Sequence, residues 1–190
     1  MAKIKDNLLI RGASGNVGKQ FVYRKRGNET FIARMPVFDK DAEPTEKQEK
    51  ARDLFAAAAL YAQGAIADPE LKKAYGKKAP PGKTAYNMAF RDFLKAPKVK
   101  SINTSGYNGT PGSTIAIAAK DDFRVAEVRV SIRTAEGVLV EEGTAVMHTI
   151  NRGSWIYTAK QSNAALTGSV IQATATDIPG NQGGLKITIL

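Results

Sequence analysis

Apolar and polar positions change their period twice along this chain. Residues 19–25 (KQFVYRK) and 30–35 (TFIARM) are rich in β-branched and aromatic side chains, and Gly27-Asn28 stands between them. That pattern predicts a β-hairpin. Phe21 and Tyr23 alternate with Val22 and Arg24, and Phe31 and Ala33 with Ile32 and Arg34. One face is therefore apolar and the other mixed. From Pro44 the period lengthens. Ala51, Leu54, Phe55, Ala58, Tyr61, Ala62, Ala65 and Ile66 recur at helical spacing, and Thr45 with Gln48 makes a capping box ahead of them. The four alanines at 56–59 suit close helix packing. Asp68-Pro69 reads as the cap and first residue of a short helix reaching about Tyr75. Thr84 caps a third, with Tyr86, Ala89, Phe90, Phe93 and Leu94 on one face.

Beyond Pro97 the period becomes two. Strands are expected at 99–104, 114–119, 125–133, 138–142, 155–160, 170–176 and 185–190, separated by turn signals such as Asn108-Gly109, Glu136-Gly137 and Pro179-Gly180-Asn181. Seven short strands over some ninety residues suit an immunoglobulin-like sandwich. The expected fold class is α+β. Residues 1–97 would form a basic β-hairpin and three-helix module, and residues 98–190 an all-β Ig-like sandwich.

Charge supports that division. The 190 residues carry a net +10. Residues 1–100 hold 21 Lys and Arg against 11 Asp and Glu, and residues 101–190 hold 7 against 7. The entire excess sits in the first half, so the two parts present different surfaces. Cations cluster on the hairpin (Lys19, Arg24, Lys25, Arg26 and Arg34) and on the second helix and its loop (Lys72, Lys73, Lys77, Lys78 and Lys83). These are the candidate contacts for a polyanion or a partner. Interleaved with Tyr23 and Phe31, they have chemistry suited to phosphate and bases. A solvated charged face is the plainer reading of the same residues.

Reactive chemistry is sparse. There is no Cys and one His, His148. That removes disulfides, thiolate zinc sites and Cys nucleophiles, and leaves little for a Ser-His hydrolase. Ala13 to Lys19 superficially resembles a phosphate loop. Gln20 stands where such a loop needs Ser or Thr, and a strand pattern follows in place of a helix. Asp121, Asp122 and Asp177 are calcium-type donors, but Asp at turns more often caps the turn. Glu141 and Glu142 are adjacent on an expected strand, so they point to opposite faces and cannot form an acid/base pair. Trp155 and Tyr157 read as core. No catalytic, metal or cofactor site is expected. No window approaches the roughly 20 apolar residues of a spanning helix, and no signal peptide is apparent. A cytoplasmic location is the expectation, with export lacking a signal as the other route.

Residues 170–181 (VIQATATDIPGN) resemble the strand-turn signature of bacterial Ig-like and cadherin-like modules. So does Asp122-Phe123-Arg124-Val125 leading into a Val/Ile strand followed by Glu136-Gly137. Nearly the whole chain resembles a family of uncharacterised Bacteroidetes-type proteins, with a Gly-rich segment and basic hairpin, Ala-rich helices and a β-module. The residues that carry this are Gly15 to Lys19, Tyr23 to Arg26, Arg34, and 65–71 (AIADPEL). The resemblance implies the architecture and brings no activity. The functional expectation is a non-enzymatic structural or interaction protein, assembling with itself or a protein partner through the sandwich and hairpin. Nucleic-acid binding by the basic half is the alternative.

Overall fold

The computed structural model describes residues 2–4, 10, 12–26, 29–37 and 43–190. Its first strands are β1 (Ala2–Ile4), β2 (Gly15–Val17), β3 (Phe21–Arg26) and β4 (Glu29–Arg34). They form an antiparallel sheet in the order β1-β4-β3-β2. The hairpin register sets Tyr23 opposite Ile32, Val22 opposite Ala33 and Arg24 opposite Phe31. The expected Gly27-Asn28 turn lies outside the described residues. Gly15 to Val17, expected as part of a glycine turn, pairs with β3 as a strand. Among the side chains of this sheet whose exposure is described, none is buried.

Three helices follow: α1 (Glu46–Ala67), α2 (Pro69–Lys78) and α3 (Ala85–Phe93). Their starts follow from local chemistry. The Thr45 N–H donates to Gln48 Oε1 and the Gln48 N–H to Thr45 Oγ1. Asp68 Oδ1 accepts from the N–H groups of Glu70 and Leu71, with Pro69 next in line. Thr84 and Asn87 form a reciprocal box. These side chains satisfy amides that the first turn leaves unpaired. The buried face of α1 is Ala58, Ala62 and Ala65, while Leu54, Phe55 and Leu60 stay largely exposed. Alanine thus takes the close contact, and the larger residues of the expected stripe lie beside it. Phe55 meets Phe90 edge to face at 4.8 Å.

The remaining strands are β5 (Lys98–Asn103), β6 (Thr114–Lys120), β7 (Val125–Arg133), β8 (Leu139–Thr144), β9 (Val146–Met147), β10 (Ser154–Thr158), β11 (Val170–Asp177) and β12 (Gln182–Thr188). They make two antiparallel sheets, β5-β6-β10-β9 and β12-β11-β7-β8. Alternate residues face one shared core. Ile115, Ile117, Trp155 and Tyr157 come from the first sheet, and Val128, Val130, Ile132, Ile171, Ala173 and Ala175 from the second. The fold is mostly β and sandwich-like, with three helices. The chain changes sheets at Ala145, which is buried and donates its N–H to Val128 O. The two-residue strand β9 beyond it has too little period to read in sequence. Glu141 is buried and Glu142 exposed, on opposite faces as their adjacency requires.

The compact units are Met1–Ala51 and Arg52–Leu190, so they do not divide at the expected position near Pro97. The reason lies in the helical core. Ala62, Ala65, Tyr75, Met88 and Ala89 cluster with Phe123 and, partly buried, Ile178, which follow β6 and β11. A boundary at 97 would strip these two residues from their cover.

Candidate functional site

The residues expected to meet a polyanion are placed as follows. Lys19, Arg24, Lys25 and Arg34 lie in the first unit and are exposed. Lys19 adopts a positive φ of 55° in the turn after β2, with its N–H held by Asn16 Oδ1. Arg26 ends β3 opposite Glu29. In the second unit Lys72, Lys73, Lys77 and Lys83 are exposed on α2 and before α3. Lys78 differs from these. Its ammonium donates to Phe123 O at 2.6 Å and lies 5.9 Å from the Phe123 ring centre, so it ties α2 to the sandwich. The glycine segment ahead of β3 leads into a strand, with no helix to complete a phosphate loop.

A polar cluster joins α2 and α3 to the ends of β6 and β11. Tyr75 is stacked on Phe123 with ring centres 3.9 Å apart. Its hydroxyl donates to Asp92 Oδ2 at 2.7 Å and lies 2.9 Å from the Tyr61 hydroxyl. Asp92 is 1% exposed. Burial pushes its carboxyl up to about 7; the Tyr75 hydrogen bond opposes this, and Asp121 and Asp177 add to it. The Oδ1 atoms of Asp92 and Asp121 are both buried and make no hydrogen bond. Burial, with like charges close by, thus favours the neutral form of Asp92.

Neighbouring groups complete the cluster. Asp121 Oδ2 accepts from the N–H groups of Phe123 and Arg124. Asp177 Oδ1 accepts from Gly180 and Asn181, and burial raises its carboxyl too. The Asn181 amide donates to Asp92 O, Phe93 O and Asp177 Oδ2 at 3.2, 3.1 and 2.8 Å. It thereby caps the last carbonyls of α3 from a sandwich turn. Sequence reasoning missed Asp92. The available signal was a carboxylate three residues after Ala89 on the apolar side of a short helix.

At the other side of Asp121 is a pocket of about 190 Å³, lined by Lys95, Lys98, Lys100, Lys120, Asp121 and Asp122 with Ala96. Asp122 is bound by Arg91 at 2.7 Å and Lys95 at 2.8 Å. The Lys95 hydrogen bond holds its carboxyl below the usual range, with Arg91 adding to the effect. Lys98 and Lys120 are cross-strand partners, and the register shifts between Val99 and Ser101. The bulge keeps both Val99 and Ile102 turned toward the core and leaves Lys100 exposed. The signal for these lysines was legible as Lys-x-Lys at 98 and 100.

A third feature is apolar. On the outer face of the first sandwich sheet, Ile156 pairs with Ala116 on one side and Val146 on the other. All three are exposed, Val146 at 73% and Ile156 at 37%. The row ends at β9, which among the described residues is bonded to β10 alone. Ile150, in the loop between β9 and β10, is 89% exposed. His148 is a turn residue there, its Nδ1 accepting from Ile150 and Asn151 N–H groups.

No protein-family model matches the chain, and no curated protein matches it. Among solved structures it is similar to CopC from Methylosinus trichosporium OB3b at 18% identity and TM-score 0.35, covering 49% of this chain and 92% of that one. It is similar to a tetra-tandem repeat in the extending region of a large adhesion protein at 19% identity and TM-score 0.32, covering 50% and 24%. The catalytic module of the glycogen-degrading pneumococcal virulence factor SpuA matches at 17% identity and TM-score 0.26, over 42% and 12%. At these scores none bears on ligand or activity. Among the described residues no helix is long and apolar enough to cross a membrane.

Proposed function

We propose that this chain is a non-enzymatic structural protein whose sandwich, read as an Ig-like module, associates with a second copy of itself. The observation that carries this is the exposed Ala116–Ile156–Val146 row running to β9, the edge of its sheet among the described residues. Contiguous apolar surface beside an unpaired strand edge favours contact with another sheet. Charge favours a like partner at this place. Residues 101–190 are balanced at 7 cations and 7 anions, so copies meeting through the sandwich keep their cationic halves out of the contact. The first unit adds to the reading, because a sheet with no buried side chain among those described gains stability from a cover.

Light scattering on the native chain tests it. The expected mass is twice 20.4 kDa at high concentration. Val146→Lys with Ile156→Lys should return it to 20.4 kDa without lowering the melting temperature, since both positions are exposed. A native monomer at high concentration overturns the reading.

Nucleic-acid binding by the basic half is the second reading. It is favoured by Arg24, Lys25, Lys72, Lys73, Lys77 and Lys83, which are exposed and make no ion pair among the described residues. Phosphate contacts of this kind weaken steeply with salt. Unchanged mobility of DNA and RNA at low salt removes that reading.

A further inference from the structure

The end of the β5–β6 ladder holds a charge arrangement that the fold does not need. Lys98 and Lys120 are opposed across the two strands, where side chains approach to about 4.5–5.5 Å between Cβ atoms and like charges destabilise the pair. Lys100, the extra residue of the bulge, is exposed next to them on the rim of the same pocket. The carboxylates in the wall do not relieve this. Asp122 is taken by Arg91 and Lys95. Asp121 accepts from the Phe123 and Arg124 amides with one oxygen, and its other oxygen is buried. Among the described residues no carboxylate lies within 4.0 Å of the Lys98, Lys100 or Lys120 ammonium. All three are exposed, so any polar residue would serve the sheet equally well.

The geometry points to a phosphate-binding pocket in which Lys98, Lys100 and Lys120 hold the phosphate oxygens. Three ammonium groups around one concavity match a group with several charged oxygens, and lysine meets phosphate as a mobile point charge. A lone carboxylate, with one charge, would leave two of the three lysines unneutralised, whereas a phosphate or monoester brings about −1.5 to −2 near pH 7 and a phosphodiester backbone brings successive charges. Binding also removes the Lys98–Lys120 repulsion, so the ligand stabilises the fold by linkage. The inference stands apart from self-association, because the apolar row of Ala116, Ile156 and Val146 does not include these residues.

The test uses the full chain labelled with ¹⁵N, at constant ionic strength set with chloride. One arm adds inorganic phosphate, and the other a short single-stranded oligonucleotide lacking terminal phosphates. Saturable shifts of the amides at 98–101 and 119–122 are expected in at least one arm. Saturation by inorganic phosphate assigns the pocket to free phosphate or a monoester, and saturation by the oligonucleotide alone assigns it to a phosphodiester backbone. Lys98→Gln with Lys120→Gln should weaken binding at least about tenfold, and without ligand should melt no lower than the native chain. Lys72→Gln with Lys73→Gln should leave these shifts unchanged. Absence of a saturable response in both arms overturns the proposal. So does an equal response from the Lys98/Lys120 variant.

Discussion

Asp92 shows how one side chain sets a property of the fold. Its carboxyl is neutral in the folded chain up to about pH 7, against an ordinary value of 3.8. Between those values the folded form holds a proton that the unfolded form has released. Stability from this group is therefore complete below pH 4 and falls as pH rises toward 7. Asp177, raised by burial, acts in the same direction. Asp122, lowered chiefly by Lys95, acts oppositely and loses its contribution in acid. The titratable groups that act on Asp92 are Tyr75, Asp121 and Asp177, and the adjacent Arg91 and nearby Lys95 are bound to Asp122. Asp92→Asn keeps an oxygen to accept from Tyr75 and does not titrate. Urea unfolding at pH 5 and pH 8 should show the native chain losing about 2–3 kcal/mol across that span, and the variant much less. Parallel losses for the two would rule out a raised Asp92 carboxyl as their source.

At the scale of elements, the caps and the alternation were readable and the joints between elements were not. Thr45, Asp68 and Thr84 begin helices because their side chains act on amides two or three residues away, and local chemistry of that range is visible in a sequence. Strand β7 matches its expected span of 125–133, because four inward apolar residues, Val125, Val128, Val130 and Ile132, mark it. β2 and β9 were missed because each is three residues or fewer and owes its existence to a neighbour. The last strand runs from Gln182 to Thr188, earlier than expected. Gly183 allows β12 to pass so near Pro97 that a Cβ would strike the Pro97 carbonyl oxygen, a contact no local pattern announces. Asn181 belongs to the same group of distant contacts. Asn181→Ala removes three hydrogen bonds between β11, its turn and α3 and should cost about 1–3 kcal/mol in chemical denaturation. A loss below about 0.5 kcal/mol would mean that α3 ends are satisfied without it.

At the scale of the molecule, charge and contact draw different lines. The cationic excess ends near residue 100, while the compact units divide at Ala51. Surface charge reports on partners and solubility, and a shared core decides what unfolds together. Of the pocket lysines, Lys98 and Lys100 lie at the start of β5 and Lys120 at the end of β6, brought together by strand pairing, which is why the two cationic clusters at 19–34 and 72–83 did not reveal them. A fragment of residues 52–190 should melt in one transition. A fragment of residues 98–190 exposes Phe123, now 5% exposed, and should be less stable by at least about 1.5–3 kcal/mol for that side chain alone. Calorimetry on both fragments checks this; equal stability would make the helices an appendage.

The cap on α3 also bears on how the chain is made. The amide that closes this helix belongs to Asn181, 88 residues after the Phe93 carbonyl it binds. A ribosome delivers residues in order, at roughly 5–20 per second. The helix is therefore made about 4–18 s before its closing group exists, and the Phe93 carbonyl faces water until nearly the whole sandwich has been synthesised.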